Sequence, residues 1–362
     1  LGAITAPDHI LRRLGLSRIA AAVLAAYAFF CFSFSILLPT EESLLALSEN
    51  GGWIYLINAA AIVIVYACSC EFRRPKVLFH HREYWVMFGF VFASQLIYLF
   101  VSHSFGRVKS LIPLFHPYGI DPLLHYLETS LFLGVSPSQW WVQEVPAYIT
   151  HAFAYGYMPV WVIAIQAYFI WQLCKSPDEA RTQFISCFLL LWIIAGILFA
   201  TLFSSVGPIY YPEFYADANS AGYRQMIERL LANPDAFTQK MYVDIRQMLL
   251  IFYHDHSIVD INAISAMPSL HTGVAFLMTL HSHHYTRYLR YGMYPFALFI
   301  FIGSFALGWH YILDSVASAL LVYAIWQLNL HSLRRAQATS RPSRKCASTP
   351  PRSPAAPKAV RW

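Results

Sequence analysis

Eight apolar stretches divide this chain, and they constrain its fold more than any other feature. They run Ile19–Leu38, Trp53–Cys68, Trp85–Val101, Tyr148–Leu173, Phe184–Phe203, Ser269–Ser282, Met293–Leu307 and Tyr311–Leu328. A helix needs about 20 apolar residues to cross the hydrocarbon of a bilayer, where every backbone polar group must find its partner within the segment. The sixth and seventh stretches are short as drawn and are expected to extend at their ends. Only 12% of the residues are charged, against about 25% in an average soluble domain. Mean hydropathy is +0.47. Such a chain has too little charge to cover a soluble surface, which excludes a cytosolic enzyme, a disordered protein and a collagen-like chain. The expected class is all-α: a polytopic membrane protein of about eight spans.

Loop charge sets the orientation. With the N-terminus inside, all but six of the 25 Lys and Arg residues fall on the inner side. The six exceptions are Arg107, Lys109, Arg224, Arg229, Lys240 and Arg246. This bias fits eight spans with both termini cytoplasmic. Ile19–Leu38 is long enough to span and lacks a small-residue exit, so it reads as a span and not as a cleaved leader. The chain carries no Asn-x-Ser/Thr sequon, which tilts the reading toward a bacterial inner membrane. Leu333–Trp362 holds eight basic residues and no acid among Pro, Ser and Ala. It reads as a disordered tail lying against anionic lipid rather than nucleic acid. Three regions follow: 1–100, a cytoplasmic segment with additional spans; 101–330, the main membrane domain; and 331–362, the basic tail. The six cysteines form no disulfide framework or zinc site, and no internal repeat is evident.

Two outer segments are more than turns. In Ser102–Ala147, Leu123, Leu124, Leu127, Leu131 and Phe132 follow helical spacing, and Trp140 and Trp141 suit a headgroup layer. This predicts an interfacial helix on the outer leaflet, where His125 and Glu128 are assigned no more than a lipid contact. Ser204–Ala263 is longer and polar, with a helix expected over its middle.

The chemistry-bearing residues gather at the outer ends of the last spans. In "SAMPSLHTG", Pro268 suits the first helical turn, with Ser269 and His271 following at a helix N-terminus fit to seat a phosphate. In "GWHYILDS", His310 and Asp314 are four apart, one helical turn. A carboxylate there accepts the Nδ1 proton and leaves Nε2 free as a nucleophile. Asp314 also lies one turn inside an apolar span, where ionisable groups default to function. In "SSVGPIYYP", Gly207-Pro208 ends the fifth span, and Tyr210 and Tyr211 reach the headgroup level. His281, His283 and His284 form an inner-end cluster read as solvated, and His254 and His256 flank Asp255 in the outer loop, where a lining of the substrate entrance is the functional reading.

"AMPSLH" followed by "HYILD" resembles the paired motifs of the type-2 phosphatidic acid phosphatase superfamily. Together with "IDPLLHYLETSLF" and "GPIYY", the pattern is similar to its inositol phosphorylceramide synthase and sphingomyelin synthase branch. The resemblance covers roughly Val101–Leu328. It implies a six-helix core, with His310 as nucleophile, Asp314 as its orienting carboxylate and His271 as general acid. The phosphatase branch carries a Ser-Arg pair where this chain has Gly303 and Ser304. Its Lys-x6-Arg-Pro motif is also missing, since "FRRP" at Phe72–Pro75 lies on the inner side. A phosphomonoester dianion asks for more positive charge than remains, so the pattern leans toward transfer of a singly charged phosphodiester. Arg246 or Arg224 is available to supply charge from the outer loop.

The expected function is therefore lipid phosphotransfer through a phosphohistidine, with Ser269, Pro268, Tyr210, Tyr211 and Arg246 binding substrate. No metal, other cofactor or nucleic acid is called for; the partners are phospholipid or other lipid substrates. The alternative is a phosphatase of lipid phosphates or polyprenyl pyrophosphates. A proton-coupled transporter using His310 and Asp314 fits less well, because transporters show repeated halves and mid-membrane sites. A non-catalytic scaffold is the last reading.

Overall fold

A computed structural model describes residues 16–37, 108–175, 178–232, 235–254 and 264–340, with isolated residues between 89 and 105. Every described element is a helix. The helices that matter here are α1 (Arg18–Leu37), α2 (Asp121–Leu131), α3 (Pro137–Glu144), α4 (Ala147–Phe169), α5 (Glu179–Leu202), α6 (Ser220–Leu231), α7 (Arg246–His254), α8 (Leu270–Ser282), α9 (Arg287–Ala306) and α10 (Ile312–Ser340).

Four of these, α4, α5, α9 and α10, are long and apolar enough to cross a membrane. They match four of the eight expected spans. The first expected span corresponds to α1, of which Arg18–Phe29 forms a shorter apolar helix. Trp53–Cys68 lies outside the described residues, as do most of Trp85–Val101 and Phe72–Pro75. The seventh span does extend, reaching back to Arg287. The sixth does not. Its helix, α8, is closed at both ends within 13 residues, or about 20 Å of rise. Ser269 caps its start by accepting the Thr272 N–H, and a turn at His283–Tyr285 precedes Thr286, which caps α9. α8 is instead the core of the bundle, packed against α5, α9 and α10. The last helix also runs to Ser340, past the expected boundary at 330, because "SLRRAQATS" contains no Gly or Pro to stop it.

Without a hydrophobic drive between helices in lipid, close packing and hydrogen bonds hold the bundle together. Gly273 of α8 is one contact: a Cβ there would stand 2.5 Å from Ser318 Oγ of α10. A chain of hydroxyls is another. Thr272 Oγ1 lies 2.9 Å from Ser315 Oγ, which lies 2.9 Å from Ser304 Oγ, tying α8, α10 and α9 together. Leu298, Leu320 and Leu328 stand exposed on the outside of α9 and α10, as lipid-facing positions do.

α9 ends at Ala306 and α10 begins at Ile312, joined by the expected tight turn, in which Gly308 adopts φ +73°. The ends of α5 and α9 and the starts of α8 and α10 therefore meet at one end of the bundle.

Candidate active site

The segment after α5 is the strap on which the site is assembled. Its Ser205 carbonyl accepts the Ala266 N–H at 2.8 Å, and its Ile209 N–H donates to the Gly308 carbonyl at 2.9 Å. Gly207 sits between them at φ +80° and ψ 167°, a region that side chains other than glycine essentially avoid. The strap thus ties the "AMPSLH" segment to the "GWHYILD" segment through backbone hydrogen bonds.

His310 is buried, with its backbone N–H donated to the Ser304 carbonyl at 3.1 Å. Its Nδ1 lies 2.8 Å from the Ala266 carbonyl and 3.5 Å from Asp314 Oδ2. A carbonyl only accepts, so Nδ1 carries the hydrogen and Nε2 keeps its lone pair. The expectation gave that proton to Asp314; the nearer acceptor is a backbone carbonyl. The reason is local. The one-turn argument needs both residues on the helix, but His310 stands in the turn before α10. Asp314 Oδ2 accepts the Tyr311 N–H at 2.9 Å, capping the helix start, while its Oδ1 is buried without a partner.

His271 faces His310 from the first turn of α8, with ring centroids 6.4 Å apart. Its ring stacks on Tyr157 at 4.2 Å and 15°, and Trp161 lies at 4.0 Å. Trp161 Nε1 also donates to the His271 carbonyl at 3.1 Å. Both aromatics come from α4, where a π-helical turn at Gly156–Val160 carries Pro159. Such turns gather at functional sites. Sequence reasoning missed this pair; the signal was an aromatic cluster, "YGYMPVW", around a proline inside a span.

Pro268 stands before the cap of α8, not in its first turn, because the Ser269 side chain takes the capping position. The Ser269 N–H donates to the Asp314 carbonyl at 3.2 Å, joining α8 to α10. Helix geometry leaves the amides of Leu270 and His271 without an intrahelical acceptor. Tyr210 is buried with an unpartnered hydroxyl, 6.3 Å ring to ring from Trp309. Tyr211 is directed elsewhere: its hydroxyl donates to Asp217 at 2.7 Å, and its ring packs on Tyr215 and Tyr223. Arg246 pairs with Glu213, donates from Nε to the Ile209 carbonyl at 3.3 Å and lies over the Tyr210 ring at 5.9 Å. Its charge is therefore already matched by a carboxylate. Arg224 is exposed on α6. His281 is buried, held by Tyr168 and the Ala180 carbonyl, so the inner-end cluster is only partly solvated. His256 lies outside the described residues, and His254 is exposed. Among the described residues, no group of three or more His, Cys, Asp or Glu is arranged to hold a metal ion.

Helix α2 departs most from expectation. Leu123, Leu127 and Leu131 face outward, but Leu124 is buried in the core, and the two carboxylates face inward beside it. Asp121 accepts from Ser205 Oγ at 2.8 Å, from the amides of Val206 and Gly207, and from Tyr215 Oη at 2.9 Å. Burial raises the Asp121 pKa, and these four donors pull it the other way without cancelling the rise. Glu128 does not meet lipid: Oε1 accepts the Ile312 N–H, and Oε2 is buried without a partner. His125 Nδ1 meets Tyr223 Oη at 2.8 Å.

Burial, with a smaller push from Asp314, lifts the Glu128 pKa to about 8. A carboxylate raised in the folded state contributes stability that is complete below its unfolded pKa and lost as pH rises through the folded value. The unfolding temperature in detergent is therefore expected to fall between about pH 4.3 and pH 8, and Glu128→Gln should flatten part of that slope. An unchanged slope in the Gln variant would contradict the assignment.

No curated protein and no solved structure matches the chain. The family profile of the PAP2 superfamily matches residues 122–328, from the second residue of α2 into α10, and that match takes in every segment that meets at the site. With more than half of its length matched and both histidine motifs inside the match, the chain belongs to the PAP2 superfamily.

Proposed function

We propose that the chain is an integral-membrane lipid phosphotransferase, which moves a phospho-headgroup between lipids through a phosphohistidine. The superfamily supports a phosphatase or phosphotransferase acting on lipid substrates; the choice of transfer rests on the site. The observation that carries the reading is the facing pair of imidazoles, 6.4 Å apart between centroids, one with its Nδ1 tied to a carbonyl. Near-attack contact of about 3–3.5 Å on one side and a hydrogen bond of about 2.6–3.2 Å on the other fit a phosphorus centre between them.

In the proposed reaction, the donor phosphate sits at the start of α8, against the amides of Leu270 and His271, with Pro268 and Ser269 shaping that end. His310 Nε2 attacks phosphorus, forming a P–N bond as the P–O bond to the donor lipid breaks. His271 gives its proton to the departing oxygen. It then takes the proton of an acceptor hydroxyl, whose oxygen attacks phosphorus and releases His310. Asp314 stabilises the His310 imidazolium that forms. The Tyr210 hydroxyl is free to donate to the phosphate, and Tyr211 and Arg246 hold the strap that presents it. The neutral Ser304, bonded to the Phe301 carbonyl and to Ser315, stands where the phosphatase branch carries a cation. That shortage of charge favours a phosphodiester over a monoester. The loop-charge bias favours a site on the periplasmic side of a bacterial inner membrane, or the Golgi lumen in a eukaryote.

Labelled lipid supplied with and without an acceptor lipid alcohol tests the reading. Label is expected in a new lipid only when the acceptor is present. Equal release of a water-soluble phosphate in both cases would favour the hydrolase instead.

The carbonyl contact yields a sharper expectation. Where a carboxylate alone fixes the tautomer, its amide variant loses about 10⁴-fold in turnover. Here Ala266 fixes the tautomer, so Asp314→Asn should lose only about 10–100-fold, the part due to imidazolium stabilisation. A loss in turnover as deep as that of His310→Ala would show that the carboxylate sets the tautomer after all.

A further inference from the structure

The polarity of α2 is inverted relative to a surface helix. Leu123, Tyr126, Leu127 and Leu131 are exposed, while Asp121 and Glu128, seven residues apart on one face, are 0% and 1% exposed. Burying two carboxylates costs free energy unless their hydrogen bonds offset it. Both reach the segments that carry the histidines. Asp121 grips the strap at Ser205, Val206 and Gly207. From that strap, the Ser205 carbonyl holds the Ala266 amide, and the Ala266 carbonyl holds His310 Nδ1. The same strap holds the Gly308 carbonyl through Ile209. Glu128 binds the amide of Ile312, two residues beyond His310.

We propose that Asp121 and Glu128 are positioning residues for phosphoryl transfer: from the inward face of α2, they fix the strap and the start of α10 in the register that aims His310 at the phosphorus. This rests on the reading of His310 as nucleophile. Neither carboxylate touches the imidazole itself; each acts through backbone it holds. A shift of about 1 Å in such a frame is enough to cost about 100-fold in rate.

The test uses the full chain in detergent micelles with an acceptor lipid alcohol and radiolabelled phosphatidylinositol, phosphatidylethanolamine, phosphatidylglycerol, phosphatidylcholine and phosphatidic acid as donors. Turnover and apparent KM are read against the mole fraction of each lipid, together with the unfolding temperature. Asp121→Asn keeps the shape but presents an N–H to a cage of donors. It is expected to lower kcat 10- to 100-fold per folded molecule, with apparent KM within about threefold. Glu128→Gln, which keeps one acceptor for Ile312, should lose less, about three- to tenfold in kcat. If Asp121→Asn does not fold, Ser205→Ala and Tyr215→Phe each remove one donor from the cage and should each lower kcat several-fold at constant KM. Unchanged kcat per folded molecule in Asp121→Asn, or in both single-donor variants, would overturn the proposal. His310→Ala is the control that separates the two layers. If it is inactive while the α2 variants are unimpaired, the positioning proposal fails and the nucleophile stands. If it turns over like the parent, or the parent turns over no lipid, the functional reading falls and this proposal falls with it.

Discussion

Replacing His310 by alanine is expected to lower lipid turnover by at least about 10³-fold, because the proposed route forms its covalent bond to phosphorus through this ring. Folding should survive: the ring makes one hydrogen bond through Nδ1, while the turn is held by backbone bonds from Ile209 and to Ser304 that the variant keeps. His271→Ala should be comparably damaging for natural lipids, about 10²–10⁴-fold, since an alkoxide leaving group needs its proton. With bis(4-nitrophenyl) phosphate, whose leaving group departs without a proton, the His271 defect should shrink while the His310 defect does not. That divergence assigns nucleophile and acid separately. Equal sensitivity of both variants to the leaving group would contradict the assignment.

Gly207→Ala is the second large effect. The residue lies at φ +80° and ψ 167°, a region that costs about 1–3 kcal/mol for any other residue. A Cβ there would stand 2.6 Å from the Trp309 carbonyl oxygen, which is backbone and cannot rotate away. Relief requires the strap to move off the residue preceding His310. The expected outcome is a drop of several degrees in unfolding temperature and more than tenfold in turnover. Gly119→Ala is the control, since its nearest neighbour would be 4.0 Å away and its φ is not positive. Equal behaviour of the two variants would show that the strap tolerates displacement without loss of function.

Much of this architecture is legible in the sequence because bilayer physics acts on composition and length. α4, α5, α9 and α10 announce themselves as long apolar runs, and the turn at Gly308 as the small gap between two of them. α8 is not legible in the same way. Its apolar residues satisfy other helices instead of lipid, and hydropathy does not distinguish those two surroundings. The site separates along the same line. His271, His310 and Asp314 stand out because short motifs hold them, and the structure sets the two imidazole rings 6.4 Å apart although they lie about forty residues apart in sequence. The Ala266 carbonyl that stands nearer than Asp314 to His310 Nδ1 is not legible, because the four-residue spacing implies a helix and His310 precedes one. Tyr157, Trp161 and Asp121 escaped because their meaning lies in contacts across more than 80 residues. An aspartate beginning an apparently interfacial helix gives no sign from spacing alone that it will be buried against Ser205 and Gly207.

The most direct measurement is rapid alkaline quenching of the full chain with phosphorus-labelled donor lipid, in the absence of acceptor, followed by peptide mapping. Phosphorus bound to nitrogen survives alkali, so the label is expected on the peptide containing His310 and to be lost in His310→Ala. Label on another residue, or a chain that turns over rapidly once acceptor is added yet carries no label at any quench time without it, would contradict a covalent route through this histidine.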